Sequence, residues 1–181
     1  PTTDFAVGDI SVTGGTLSGF TAISSTVYTA IFTPSGDGTV TFDVAAGSFM
    51  DVTRNNNTAA TQFTLTYDLT APSVPTGLVA TSGSAQITLS WSANSESDFA
   101  KYYIYGGTSA SPTTKVDSTT NVNDTTKTIT GLTNGTTYYY RISAVDNGGN
   151  ESDKTSDVSA IYNDGVAPTI TFVTTITPVV T

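Results

Sequence analysis

The chain has 181 residues, no cysteine and no histidine, and six basic residues against fifteen acids, for a formal net charge of -9. That composition excludes disulfides, Cys/His metal sites and every nucleophile–base pair built on an imidazole or a thiolate. Its acidity repels nucleic-acid phosphates and anionic lipid and suits divalent cations. Charged residues reach only 12%. Thr is abundant, with Ser, Gly, Asn, Tyr and Val behind it, and this is a strand-and-turn composition poor in helix formers. No stretch approaches the length of a membrane-spanning helix, so no membrane insertion is expected. Low Lys content, high Thr and the absence of Cys fit an extracellular or cell-surface prokaryotic protein. Pro1 in place of Met marks a chain that is processed or excised, or whose start lies outside these residues.

Short alternating runs separated by turn signals every 8–12 residues predict an all-β sandwich architecture. Residues 1–69 carry "FAVGDISVTGGTLSGF" and "STVYTAIFTPSGDGTVTFDVAAGSFMDVTRNNNTAATQFTLTYD". These segments resemble the second half of the bacterial Ig-like repeats found in large surface proteins. The resemblance implies a partial domain that lacks its first two strands. It also implies a hairpin loop commonly written Asp-Ala-Ala-Gly-Asn. Here "DVTRNNN" (51–57) takes that place and the Gly is absent.

Two junctions rhyme, "TYDLTAPSVP" at 66–75 and "IYNDGVAPTI" at 161–170. Each has an aromatic (Tyr67, Tyr162), an acid (Asp68, Asp164) and then Ala-Pro (Ala71-Pro72, Ala167-Pro168). Proline restrains the backbone and cannot donate to a ladder, so each junction reads as a domain boundary. Between them, "PSVPTGLVAT", "AQITLSWSA", "DFAKYYIYGG" and "TITGLTNGTTYYYRISAVDNGGNES" resemble successive strands of a fibronectin type III domain over residues 72–163. Leu132, Gly135-Thr136 and Tyr138 form that family's tyrosine-corner pattern. Ile87, Leu89 and Trp91 are expected on one face of one strand, Tyr102 and Ile104 inward on another, and Tyr138, Tyr140, Ile142 and Ala144 inward on a third. The closing "APTITFVTTITPVVT" (167–181) resembles the first strand of the Ig-like repeat. The expected organisation is therefore a partial Ig-like domain (1–69), a fibronectin type III domain (70–164) and the opening strand of a further Ig-like domain (165–181). This is an all-β fold of tandem Ig-like/fibronectin type III β-sandwiches, the first incomplete.

The candidate chemistry is divalent-cation binding. "DVTRNNN" presents Asp51, Asn55 and Asn57, and "DNGGNES" presents Asp146, Asn150 and Ser152, both as D-x-x-x-N-x-[N/S]. Hard cations take several such oxygens at short range. The same residues also close tight turns with no metal. In a seven-strand sandwich the loop after strand two, the loop after strand six and the N-terminal linker lie at one end. Asp68, Glu96, Asp98, Asp146, Asn150 and Glu151 are therefore expected to converge, either on Ca²⁺ or as a solvated acidic rim. Asp164 is expected to meet an equivalent of the Asp51 loop only across chains or repeats.

No phosphate-binding loop, nucleophile elbow or dinucleotide fingerprint is present. The sequence reads as a non-enzymatic stalk or filament segment of an adhesin-like array, whose partners are neighbouring repeats or identical chains head to tail. Two other readings are a strand-exchanging filament subunit and an accessory region of an extracellular polysaccharide-active enzyme. A further one is a ligand-binding module using Tyr103 and Tyr105, both expected to be exposed.

Overall fold

The computed structural model describes residues 4–171. Of the expected C-terminal strand only the first residues fall in this range, and none of them is in a strand; Phe172 onward lies outside it. The chain divides into two compact units, one of residues 1–72 with 146–151 and the other of 73–145 with 152–181.

In the first unit a 3-10 turn (Val7–Asp9) leads into β1 (Ser11–Val12), β2 (Gly15–Ala22), β3 (Tyr28–Pro34), β4 (Gly38–Asp43) and β5 (Phe63–Tyr67). β1, β4 and β5 form one antiparallel sheet in the order β1-β4-β5, and β2 and β3 form a hairpin. Among the described residues of this unit, Val40 is the one fully buried hydrophobic side chain, at 1% exposure. Aromatic edges do the rest. Phe5 meets Phe20, Tyr28 and Phe49 at centroid distances of 5.6, 4.9 and 4.7 Å, and Phe32 meets Phe42 at 5.0 Å. Such pairs add about 0.5–1.5 kcal/mol each beyond their burial.

Among the described residues the second unit holds seven strands: β6 (Val79–Gly83), β7 (Gln86–Ser90), β8 (Phe99–Gly107), β9 (Lys115–Ser118), β10 (Thr126–Ile129), β11 (Thr137–Asp146) and β12 (Val158–Ile161). They form two sheets, β10-β7-β6 and β12-β11-β8-β9. Their facing sides close on Ile87, Leu89, Trp91, Tyr102, Ile104, Tyr140, Ile142, Ala144 and Tyr162. The expected inward positions are inward, because alternation places every second residue on the core face. The Trp91 ring lies edge-on to Tyr102 at 5.3 Å. The tyrosine corner is formed: the Thr133 N–H donates to the Tyr138 hydroxyl at 3.1 Å.

The first strand of this unit is shorter than the sequence suggests. It begins at Val79, not Pro72. Pro72 and Pro75 have no N–H to give a ladder, and Gly77, at φ 68°, turns the backbone before β6.

Candidate functional site

The two D-x-x-x-N-x-[N/S] stretches are the same hairpin, built twice. In the first, the Asp51 N–H donates to the Asn55 carbonyl (3.0 Å) and the Arg54 N–H to the Asp51 carbonyl (3.0 Å). In the second, the Asp146 N–H donates to the Asn150 carbonyl (3.2 Å) and the Gly149 N–H to the Asp146 carbonyl (3.3 Å). The aspartate closes each loop. Asp51 Oδ1 and Oδ2 accept from the Asn55 N–H and Nδ2, both at 2.9 Å. Asp146 Oδ1 and Oδ2 accept from the Asn150 N–H at 2.8 Å and Nδ2 at 2.9 Å. The residue six positions after the aspartate then replaces a ladder carbonyl. Asn57 Oδ1 takes the Phe49 N–H, and Ser152 Oγ takes the Ala144 N–H, each at 3.0 Å. The fourth residue of each loop is left-handed, Gly149 at φ 91° and Arg54 at φ 66°. Side-chain and backbone donors from Asn55, with the Thr53 hydroxyl, hold the Asp51 carboxyl well below the usual carboxylate range.

Asp68 joins the second hairpin: its carbonyl accepts from Asn150 Nδ2 at 3.1 Å, and a Cβ placed on Gly148 would stand 3.0 Å from Asp68 Oδ2 and 3.2 Å from Asp146 Oδ1. Asp68, Asp146 and Asn150 are thus brought together. Glu96 is committed elsewhere. Its Oε1 accepts the Ser73 N–H at 2.8 Å, and its Oε2 accepts Asn94 Nδ2 and the Ser95 N–H, both at 3.1 Å. Burial opposes its ionisation, but these donors outweigh burial and bring its pKa to about 2. Asp98 stands in the turn before β8, in the second unit. Asp164 closes a turn of its own, accepting the Val166 N–H at 2.9 Å, while its N–H donates to Asn134 Oδ1 at 3.1 Å.

Asp37, in the turn between β3 and β4, was not singled out by the sequence. Its Oδ1 accepts the Leu69 N–H at 2.6 Å and its Oδ2 the Thr70 hydroxyl. The Thr70 hydroxyl, then the Leu69 N–H, lower its pKa. Asp37 fastens one end of the linker within the first unit and Glu96 fastens the other within the second. Between Thr70 and Ser73 only Ala71 and Pro72 escape these two carboxylates.

A second feature also escaped the sequence. Lys101, Lys115 and Lys154 surround Tyr103 and Tyr105. Lys115 Nζ lies 2.9 Å from the Tyr103 ring centroid and Lys101 Nζ 5.1 Å from it, while Lys154 Nζ lies 4.4 Å from that of Tyr105. Tyr105, expected to be exposed, is 5% exposed. The period-two spacing of Lys101, Tyr103 and Tyr105 was the available signal for their common face.

Residues 1–67 match the profile of the bacterial Ig-like domain and residues 73–161 that of the fibronectin type III domain. The chain is a bacterial Ig-like domain followed by a fibronectin type III domain. Both are non-catalytic domain types, so the chain itself is not an enzyme. Among curated relatives it is 45% identical over 93 residues to an amylopullulanase of Thermoanaerobacterium saccharolyticum, covering 51% of this chain and 7% of the relative. It is 33% identical over 153 residues to chitinase A1 of Niallia circulans, covering 82% of this chain and 19% of the relative. The chain therefore spans less than a fifth of either relative. The three-domain FN1–FN3 segment of chicken CNTN1 superposes with a TM-score of 0.53 at 13% identity, over 86% of this chain and 57% of that one, and shows the fold alone. The repeated hairpin thus lies once in each of this chain's two domains, with Arg54 holding in the Ig-like domain the backbone position that Gly149 holds in the fibronectin type III hairpin. Among the described residues no helix is long and apolar enough to cross a membrane.

Proposed function

We propose that the chain is a non-catalytic accessory spacer of an extracellular enzyme that acts on a polysaccharide. The observation that carries this is its likeness to two enzymes named for different substrates, an amylopullulanase and a chitinase. A segment shared by both does not set which polymer is cut, and a spacer fits that indifference better than a substrate-reading module does. The similarity favours this reading over an adhesin stalk or a strand-exchanging filament. The linker supports it: carboxylates fasten Leu69, Thr70 and Ser73 within their own units.

In this reading the role of Asp51 and Asp146 is to close their hairpins, each carboxylate accepting its own loop's amides, and that role needs no calcium. Calcium titration checks this part: no heat and no change in melting at millimolar metal is expected, and a chelator-sensitive rise in melting temperature would refute it. The experiment for the whole reading is to sequence the gene on both sides of these residues. A flanking polysaccharide-active catalytic domain is expected. Ig-like and fibronectin type III repeats continuing in both directions without one would overturn the proposal in favour of an array.

A further inference from the structure

The distribution of positive charge points beyond a passive spacer. The first unit carries eight acids and Arg54 alone, whereas the second carries seven acids and the other five cations. Arg141 pairs with Asp157 at 3.0 Å and Lys127 with Asp117 at 2.8 Å. Lys101, Lys115 and Lys154 have no salt bridge among the described residues, although acids outnumber bases fifteen to six. They gather around two rings. Three ammonium groups in one place repel one another. Here the faces of Tyr103 and Tyr105 offset that repulsion by cation–π attraction. Chance placement on so acidic a chain would more often leave a lysine beside a carboxylate.

We propose that this outer face of the β12-β11-β8-β9 sheet is a contact surface for an anionic polysaccharide, whose acidic groups pair with Lys101, Lys115 and Lys154. Charge complementarity names the occupant, and the state of the rings excludes its neutral counterpart. A neutral sugar would need an open aromatic face to stack on. Lys115 covers the face of Tyr103, and Tyr105 is nearly buried. The same covering removes the stacking platform that a single-stranded nucleic acid would use. Three cations on a chain of net charge -9 also suit a polymer of spaced charges better than a dense phosphate backbone. At physiological salt the Debye length is about 8 Å, so acids beyond that range are largely screened from the contact. The inference deepens the accessory reading, since it supplies a surface by which a spacer would lie on acidic wall or matrix polymer. It takes from that reading only the class of polymer.

The test is affinity electrophoresis of the whole chain in gels containing polygalacturonate, with pullulan as the neutral comparison. Retardation by polygalacturonate and none by pullulan is expected. The triple variant Lys101→Gln, Lys115→Gln, Lys154→Gln should weaken the apparent affinity at least tenfold. Lys127→Gln, which alters a paired lysine, should leave it unchanged. By the counterion-release rule for single-stranded polyanions, three contacts lose on the order of tenfold as salt rises about fourfold. Unchanged Trp91 emission and melting temperature show that the variants are folded. If the triple variant does not fold, Lys115→Gln alone, at an exposed position, should give at least a twofold loss. Four results would each overturn the inference: no retardation by polygalacturonate, retardation insensitive to the lysine variants, equal retardation by pullulan, or lysine-dependent self-association of the chain in place of polymer binding. The accessory reading is decided separately by the flanking gene sequence, so either can fail alone.

Discussion

Arg54→Gly in the Ig-like domain should stabilise it. Arg54 sits at φ 66° in a hairpin whose twin places Gly149 at φ 91°. A left-handed backbone costs an L-residue about 1–2 kcal/mol. The extra freedom of glycine in the unfolded chain returns about 0.5–1 kcal/mol of that. A net gain of about 1 kcal/mol remains, which for a domain of this size raises the melting temperature by roughly 4–8 °C. Loss of the Ig-like domain's sole cation among five acids opposes the gain, so the measurement belongs at high salt, where surface charge is screened. The assay exploits the chain's single tryptophan, Trp91, in the other domain. Trp91 fluorescence should be unmoved, while the second transition seen by calorimetry or far-ultraviolet dichroism shifts upward. Arg54→Lys should give no gain, and Arg54→Asn a smaller one, since Asn tolerates the left-handed region. The converse, Gly149→Ala, should cost about 1 kcal/mol in the Trp91-reported transition. An Arg54→Gly transition that stays put or falls at high salt would refute the reasoning, because the backbone angle would then carry no strain to release.

Tyr138→Phe should cost about 1 kcal/mol, read in urea by Trp91 emission, because the Thr133 N–H loses its acceptor. Gly106→Ala should cost about 1–3 kcal/mol by overpacking, since its Cβ would stand 2.9 Å from Tyr140 Cε1 and 3.1 Å from Val116 Cγ2. The pKa of Glu96 is depressed from 4.5 to about 2, so its support of Ser73 is complete above pH 4.5 and is lost as pH falls through about 2. The Ser73 amide shift in NMR should follow that lower midpoint, and Glu96→Gln should abolish the titration.

What the sequence made legible was local. Alternation in "AQITLSW" and "TYYYRISAV" fixed which side chains face the core, because a strand has a period of two whatever its surroundings. The hairpins were legible as a spacing, since Asp51 and Asn55, or Asp146 and Asn150, lie four residues apart and bond each other. The spacing alone left open whether their oxygens serve a cation or the loop. The backbone amides of Asn55 and Asn150, which also donate to those carboxylates, have no sequence signature of their own. Long-range partners were not legible. Glu96 reaches Ser73 across 23 positions, and Asp37 reaches Leu69 across 32. Nothing near either acid announces the loop that will arrive beside it. The lysine cluster was hidden for the same reason: Lys101 lies on β8, Lys115 on β9 and Lys154 beyond β11, and only sheet order brings them to one face.

The two hairpins also separate the worth of a hydrogen bond from its geometry. Asn57 and Ser152 perform one task, accepting the N–H of a residue eight positions earlier, each at 3.0 Å. They do so in different surroundings. Ser152 is 7% exposed and its donor Ala144 is 0% exposed, whereas the bond from Phe49 to Asn57 is only partly buried. When an acceptor is removed, a buried N–H is left with the full desolvation penalty of about 1–3 kcal/mol, while a wetter one finds water. Ser152→Ala should therefore cost about 2 kcal/mol in the Trp91-reported transition. Asn57→Ala deletes more bonds, since Asn57 Nδ2 also donates to the Ala45 carbonyl at 2.7 Å and the Thr58 carbonyl at 2.9 Å. Both of those are exposed, so the loss should still stay at or below about 1 kcal/mol. Should Asn57→Ala prove the costlier change, the number of bonds outweighs burial at these hairpins. The shared motif would then be a stability device in the Ig-like domain more than in the fibronectin type III domain.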